Sequence, residues 1–259
     1  MEQIKNIEIG GQQRQCGNCC ERFLSLISRP MISVVIASSN HARHLPDALV
    51  ALVNAAMAGL VAEVIVADAG STDETLTIAD AMGAELVTHV AGGRGAQLAA
   101  GAALAKSEWL LFLPADTVLE TGWDDEVDNF VRRARRGDGR VAAAFRFALD
   151  DPSPKARETE FWIQARYRFL RLPHGDQGLL ISRRFYNELG GFQALPVMED
   201  VDLARRIGSE RIVLLKSAAR SSAERYQTKS SLVRSARNFA ALMLFYFRAP
   251  TRLLARIAG

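Results

Sequence analysis

The chain has 259 residues, of which 49% are hydrophobic and 24% are charged, and its formal net charge is +3 at pH 7. This composition is typical of a globular protein and excludes a disordered chain, and the length fits one large α/β domain with appendages. The positive charge is too small to indicate nucleic-acid binding, but it suits an anionic small molecule or an acidic membrane surface.

All three cysteines, Cys16, Cys19 and Cys20, lie within the first twenty residues. Their C-x-x-C-C spacing supplies only half of a tetrahedral zinc site, and the nearest histidines, His41 and His44, follow the first predicted strand. We therefore interpret residues 1–30 as an N-terminal extension, with a metal or redox role as the alternative. No disulfide framework, signal peptide or membrane-spanning run is visible, so we expect a cytoplasmic protein.

Strand and helix patterns alternate along the rest of the chain. Apolar runs predict strands at residues 31–38, 63–68, 85–90, 110–113, 141–149 and 211–215, and the polar loop PHGDQG leads into another. A first helical pattern follows SNHARHLPDAL and ends near residue 59, and a second starts near residue 73. Further helical patterns cover residues 96–105, 123–136, 155–170, 185–190, 198–207 and 228–247. This alternation predicts an α/β fold with a Rossmann-like, mostly parallel sheet flanked by helices on both faces.

Two predicted strands end at an acidic residue. Asp68 closes EVIVAD, and Asp116 follows the apolar run LLFL and Pro114. Ligands of open α/β sheets bind beyond the carboxyl ends of the strands, where a carboxylate can hold a divalent cation and the cation a diphosphate. The alternatives are a strand-end carboxylate that accepts from turn amides at Asp68 and a solvated turn acid at Asp116.

The glycine-rich segment GGRG precedes a predicted helix. Its backbone amides and the Arg94 guanidinium could meet phosphate oxygens, and Gln97 lies one turn further on. A plain glycine turn that carries an exposed arginine explains the same pattern.

The motifs, taken in order, resemble those of the family 2 glycosyltransferases, enzymes of the GT-A fold. The resemblance covers about residues 31–225 and rests on SVVIAS, EVIVADAGSTDET, LFLPADT, GDQGLLISR and LGGFQALPVMEDVDLARR. Within that family, the segments GRGAQLAAGA, ADT and HGDQG look like those of the bacterial glycosyltransferases associated with arsenosugar biosynthesis.

The resemblance implies an inverting, metal-assisted transferase that moves a hexosyl group from a nucleotide-diphosphate sugar to a hydroxyl of a small-molecule or lipid-linked acceptor. It assigns a divalent cation (Mg²⁺ or Mn²⁺) to Asp116, although Pro114 replaces the first acid of the family's D-x-D motif. It also implies that Asp200, supported by Glu199, is the catalytic base. The substrate contacts predicted from the resemblance and from the residues together are Ala37, Ser38, Asp68, Arg94, Gln97, His174 and Asp176.

On this interpretation, residues 31–228 form the transferase domain, with a nucleotide-sugar half at 31–140 and an acceptor half at 141–228. Two rival functions stay open: a catalytically silent nucleotide-sugar-binding protein of the same fold, and a sugar-nucleotide pyrophosphorylase. The pyrophosphorylases resemble G-x-G-x-R-x-x-P-x-x-K after their first strand, whereas this chain has SSNHARHLPDAL.

Residues 229–259 are predicted to form a C-terminal helix with an apolar stripe beside several arginines. A basic amphipathic helix can lie on an anionic bilayer, so a peripheral contact with the inner membrane is one expectation. Packing over the sheet or a dimer contact explains the same pattern.

Overall fold

The structure, a computed structural model, describes residues 31–170, 172–195 and 197–224. The cysteine-containing extension and the predicted C-terminal helix therefore lie outside the described residues. Within the described part of the chain, no helix is both long and apolar enough to cross a bilayer.

Eight strands form one mixed sheet in the order β3-β2-β1-β4-β7-β6-β8-β5. Strands β1 to β4 run parallel to one another, β7 is antiparallel to both of its neighbours, β6 and β8 are parallel, and β5 is antiparallel to β8. The strands are β1 (Ile32–Ser38), β2 (Val61–Asp68), β3 (Glu85–Val87), β4 (Trp109–Pro114), β5 (Thr117–Leu119), β6 (Ala142–Leu149), β7 (Leu179–Ser182) and β8 (Ile212–Ser221).

Helices cover both faces of this sheet, as predicted. They are α1 (Leu45–Met57), α2 (Thr75–Ala81), α3 (Arg94–Leu104), α4 (Trp123–Arg136), α5 (Pro154–Leu170), α6 (Arg183–Glu188) and α7 (Glu199–Ile207). The two faces form because successive side chains of a strand point to opposite sides. In β1, Val34 and Ile36 face the core under α1 and α4, and Val35 and Ala37 face the core under α3, α6 and α7.

The sheet must curl back on itself at its β5 end. Only two residues separate β4 from β5, so these strand ends lie within roughly 11 Å of each other. In a flat sheet, the four strand spacings between them would amount to roughly 19 Å. The curl brings the end of β8 next to the turn after β4, where the Ser222 amide donates to the Asp116 carbonyl oxygen at 3.2 Å.

Three observed strands differ from the predictions by three residues or more. Strand β5 has only three residues and was not predicted, because its extended form depends on pairing with β8 about a hundred residues later. Strand β8 continues to Ser221, six residues beyond the predicted end, because KSAARS pairs with β6 and β5. Strand β3 ends at Val87 rather than at residue 90.

Candidate active site

The carboxylate of Asp68 closes its own turn at the end of β2. One carboxylate oxygen accepts from the amides of Gly70 (2.7 Å) and Ser71 (2.6 Å), and the other accepts from the Ser71 hydroxyl. Asp68 is fully buried. The structure thus gives Asp68 the turn-closing role that the sequence left as the alternative, and its predicted contact with the donor nucleotide stays a prediction.

Gln97 joins the carboxyl ends of β1 and β2. Its buried side-chain amide donates to the carbonyl oxygens of Ser38 (2.7 Å) and Ala67 (2.9 Å). Ala37 and Ser38, the last residues of β1, are buried at the same edge. Helix α3 is therefore fixed to this edge through Gln97, three residues after Arg94.

The loops after β1 and β2 are joined by polar contacts that the sequence did not predict. The Asn40 amide donates to the Ser71 hydroxyl at 2.8 Å, and the Asn40 side-chain carbonyl accepts from the Thr72 amide at 2.9 Å. Asp73 accepts from the Ala42 amide and from the amide and hydroxyl of Thr75. These contacts hold the two loops together at the carboxyl edge, and they give Asp73 a role in the turn.

Asp116 lies in the turn between β4 and β5 and is 6% exposed. Its main chain is held by the Ser222 amide, at the end of β8. Within the part of the chain that the structure describes, no group of three or more His, Cys, Asp or Glu side chains is arranged to hold a metal ion. A cation here would thus need ligands from the substrate in addition to the Asp116 carboxylate.

A second group of acids lies at the start of α7. Glu199 is buried, Asp200 is half-buried, and Met198 before them has a left-handed backbone with φ = 66°. A positive φ is uncommon outside glycine and is found at functional sites that hold strain. This bend starts α7 so that its first two carboxylates meet the chain around residue 175.

Arg94, the first residue of α3, joins this acidic group to the turn at residue 175. Its guanidinium donates to the Gly175 carbonyl oxygen at 2.8 Å and lies 3.8 Å from an Asp176 carboxylate oxygen and 3.9 Å from a Glu199 carboxylate oxygen. Its contacts are therefore with protein groups, and its predicted contact with phosphate stays a prediction. The next residue, Gly95, leaves room for the backbone at Gln193, since a methyl group at residue 95 would collide with the Gln193 carbonyl oxygen.

The segment His174–Gln177 forms a tight turn between these elements. The His174 Nδ1 accepts from the Asp176 amide at 3.3 Å, and the His174 amide donates to the Gln177 side-chain carbonyl at 2.6 Å. Because Nδ1 accepts, the neutral imidazole carries its proton on Nε2. A Cβ at Gly175 would lie 2.6 Å from Arg94 Nη1 and 3.2 Å from Asp200 Oδ2, so a larger residue would displace these two side-chain ends.

Burial shifts the pKa values of two groups in this cluster. It raises the pKa of Glu199 above its ordinary value, and the neighbouring charge of Asp200 adds to that rise, against the opposing effect of Arg94. Burial also lowers the pKa of His174, although the charge of Asp176 acts in the other direction. The geometry and these shifts together favour a neutral His174 near a Glu199 carboxyl group that holds its proton more strongly than an ordinary one.

A cavity of about 30 Å³ opens within this cluster. Its polar lining consists of Arg94, His174, Glu199 and Asp200, and its apolar wall includes Leu98, Phe112, Leu179 and Phe192. Asp116 does not line this cavity. Asp116 is linked to the cluster through the end of β8 instead. Ser221 Oγ lies 3.5 Å from the Asp176 carbonyl oxygen, and the amide of the next residue, Ser222, donates to the Asp116 carbonyl oxygen.

The predicted site residues thus form two groups. The first lies at the carboxyl ends of β1 and β2, and its members are Ala37, Ser38, Asp68 and Gln97. The second surrounds the turn at residue 175, and its members are Arg94, His174, Asp176, Glu199 and Asp200. Asp116 lies beside the second group. The sequence did not indicate the importance of Gly175, although a glycine inside the polar segment PHGDQG was a signal that could have done so.

Comparison with known proteins connects this arrangement to one family. Residues 33–188 match the family described as "Glycosyl transferase family 2". An uncharacterized glycosyltransferase of Rickettsia bellii is 33% identical over 97 residues, which are 38% of this chain and 31% of that protein. A PGL/p-HBAD biosynthesis glycosyltransferase of Mycobacterium tuberculosis is 36% identical over 99 residues, which are 36% of this chain and 38% of that protein. The chain thus matches about a third of the length of these curated relatives.

Solved structures share the fold over most of the chain. Glucosyl-3-phosphoglycerate synthase of M. tuberculosis, in complex with Mn²⁺, UDP and glucosyl-3-phosphoglycerate, gives a TM-score of 0.57 at 21% identity and covers 87% of this chain and 83% of its own. Mannosyl-3-phosphoglycerate synthase of Rubrobacter xylanophilus gives a TM-score of 0.55 at 16% identity and covers 90% of this chain and 79% of its own. At these identities the likeness establishes the GT-A-like α/β fold and nothing finer.

Proposed function

The chain belongs to glycosyl transferase family 2, and from this premise we propose that it is an inverting transferase that moves a sugar from a nucleotide-diphosphate sugar to an acceptor hydroxyl. The observation that carries the proposal is the arrangement around Gly175. The Arg94 guanidinium donates to the Gly175 carbonyl oxygen, and an Asp200 carboxylate oxygen lies 3.2 Å from where a Cβ of residue 175 would stand. The carbonyl oxygen of the adjacent Asp176 lies 3.5 Å from Ser221 Oγ, at the end of β8 beside Asp116. One short turn thus separates the proposed base from the proposed leaving-group site.

In the proposed reaction, Asp200 takes the proton of the acceptor hydroxyl as its oxygen attacks the anomeric carbon. The new carbon–oxygen bond forms as the bond from that carbon to the diphosphate oxygen breaks, and the nucleoside diphosphate leaves. Glu199 supports Asp200 through their shared helix start. Burial and the neighbouring charge of Asp200 raise the pKa of Glu199 above its ordinary value.

The donor is proposed to bind at the first group of residues and at Asp116. The carboxylate of Asp116 is a hard oxygen ligand of the kind that Mg²⁺ and Mn²⁺ prefer, and the diphosphate oxygens of the donor would supply further ligands. Such a cation neutralises the charge of the departing diphosphate. Ser38, Asp68 and their loops would hold the nucleoside.

Two finer assignments belong to the same proposal. The resemblance of residues 93–102, 115–117 and 174–178 to arsenosugar-associated glycosyltransferases leads us to propose an acceptor in that chemistry. We also propose a cytoplasmic location with a peripheral inner-membrane contact through residues 229–259, which lie outside the described residues.

The test is donor turnover by the full chain with and without Mn²⁺ and Mg²⁺, using UDP-glucose, UDP-galactose and GDP-mannose. Transfer or slow hydrolysis that requires the cation and is lost in Asp200→Asn supports the proposal. The matched control is Asp202→Asn on the same helix, since Asp202 pairs with Arg206 and should leave turnover intact. Thermal stabilisation by nucleotide without any turnover would favour the silent binding protein, and full activity of Asp200→Asn would remove the proposed base.

A further inference from the structure

The cavity beside Asp200 has a size and a charge that restrict what can react there. Its volume of about 30 Å³ is small, since a single water needs roughly 10–15 Å³ on a comparable measure. Only a narrow group can enter without rearrangement, such as the CH₂OH end of a larger molecule. The bulk of any acceptor must stay outside, beyond the turn at residue 175.

The two arginines near the cavity each donate to a carbonyl oxygen of the protein. Arg94, the single cation among the described residues that line the cavity, donates to the Gly175 carbonyl oxygen and faces Asp176 and Glu199. Arg166 lies close enough to affect His174, but its guanidinium donates to the Pro173 carbonyl oxygen at 3.2 Å. An anion that entered the cavity would compete with these protein acceptors for the two guanidinium groups.

Among the described residues that line the cavity, carboxylates outnumber cations. Glu199 and Asp200 both line it, and the buried Asp176 carboxylate lies 3.8 Å from Arg94. A phosphate or carboxylate on the acceptor would meet these like charges in a partly desolvated space, and this juxtaposition is costly. An uncharged hydroxyl can instead donate to a carboxylate.

The opposite wall favours an apolar surface on the acceptor. Phe112 and Phe192 meet edge to face with ring centroids 4.9 Å apart, and Leu98 and Leu179 line the same wall. Sites that combine an apolar wall with a few convergent polar groups take ligands that have both kinds of surface.

We propose that the acceptor is an uncharged compound that presents a primary hydroxyl next to an apolar flank, and that phosphorylated or carboxylated acceptors are discriminated against. This inference rests on the proposed function and adds the substrate class of the same site. It distinguishes this chain from a transferase built for an anionic acceptor, because Arg94, the one cation among the described residues that line the cavity, already faces two carboxylates of the protein.

The experiment compares matched acceptors with the full chain, Mn²⁺ and whichever of the three sugar nucleotides is turned over. Glycerol is paired with 3-phosphoglycerate, and octyl β-glucoside with glucose 6-phosphate, with kcat/KM for nucleoside-diphosphate release as the readout. We expect the uncharged member of each pair to be preferred at least about tenfold, because a like charge beside a carboxylate costs that much or more.

A variant tests the cause of the preference. Glu199→Gln removes one carboxylate from the cavity and should narrow the ratio between uncharged and anionic acceptors, whereas Asp202→Asn, outside the cavity, should leave the ratio unchanged. If donor is turned over and the anionic members are used as well or better, the inference fails and the proposed function stands. If no sugar nucleotide is turned over with any acceptor, the proposed function fails and the inference falls with it.

Discussion

The two acidic regions of this molecule use their carboxylates in opposite ways. At the end of β2, Asp68 is surrounded by hydrogen-bond donors of its own turn, so its charge is fully satisfied close by in sequence. At the start of α7, the charge of Asp200 acts on the buried Glu199, and the cation that faces Glu199 is Arg94, which comes from a distant helix. A carboxylate that is satisfied locally stabilises a turn, and an acid whose pKa is shifted by burial and by a neighbouring charge is suited to proton transfer.

The largest expected effect comes from filling the space at residue 175. In Gly175→Ala, the new methyl group would press on Arg94 and Asp200, and a displacement of about 1 Å can cost about 100-fold in rate. We expect transfer to fall by that order while the affinity for the sugar nucleotide, measured by thermal shift, stays unchanged. Gly137→Ala is the control, because the nearest atom to its Cβ would be 3.6 Å away. Equal activity of the two variants would show that the turn does not position the base.

Removing the charge of Asp68 tests the region that is satisfied locally. In Asp68→Asn, an NH₂ group would face amide donors, and a buried group left unsatisfied costs about 1–3 kcal/mol. We expect the free energy of unfolding, measured in urea, to fall by that amount, since Asp68 is fully buried. Asp73→Asn, in the same pair of loops but exposed, should cost less. A variant as stable as the parent that binds nucleotide more weakly would assign Asp68 to the donor instead.

Asp116 is expected to act on the cation more than on the fold. Asp116→Asn removes one charged contact, worth about 1.5 kcal/mol or more, so the Mn²⁺ concentration for half-maximal turnover should rise about tenfold. Titration of Mn²⁺ at a fixed concentration of sugar nucleotide measures this shift. An unchanged Mn²⁺ dependence would place the cation site elsewhere.

The smallest effect concerns pH. Because burial and Asp200 raise the pKa of Glu199 in the folded state, folding favours its protonated form, and that stability is lost as the pH rises from its ordinary value of 4.5 through the folded-state pKa. Glu199→Gln cannot ionise and lacks this loss. We therefore expect the unfolding free energy of the parent, measured by urea titration from pH 4 to pH 8, to decline relative to the variant. A constant difference would contradict the raised pKa.

The sequence predicted most of the fold because its signals are local. The helix at Trp123–Arg136 begins with three acids and ends with three arginines, and both of its predicted ends are correct. The apolar runs of β1, β2 and β4 likewise identify buried strands at their positions in the chain. The α/β class and the helices on both faces follow from these patterns alone.

The rest depends on contacts between residues far apart in the chain. The sequence indicated Glu199 and Asp200 as a pair, but it could not indicate that Arg94 would lie beside Glu199, because this approach requires α3 and α7 to pack on the same face. Nor could it predict that the GGRG segment would make room for backbone at Gly95. The sequence showed Asp116 as a single acid after an apolar strand, but it could not show that the Ser222 amide, after the end of β8, donates to the Asp116 carbonyl oxygen.

The pairing of β5 with β8 also has a consequence for how the protein is made. The hydroxyls of Thr117 and Ser221 meet across 104 residues of sequence, so the loop that carries Asp116 gains its partner late in synthesis. A nascent chain released before residue 212 would expose β5 as an unpaired edge, a surface on which partially folded chains associate. Shortened versions of the protein made for expression should therefore keep every residue through the end of β8, and residues 31–140 should not be expressed without residues 141–228.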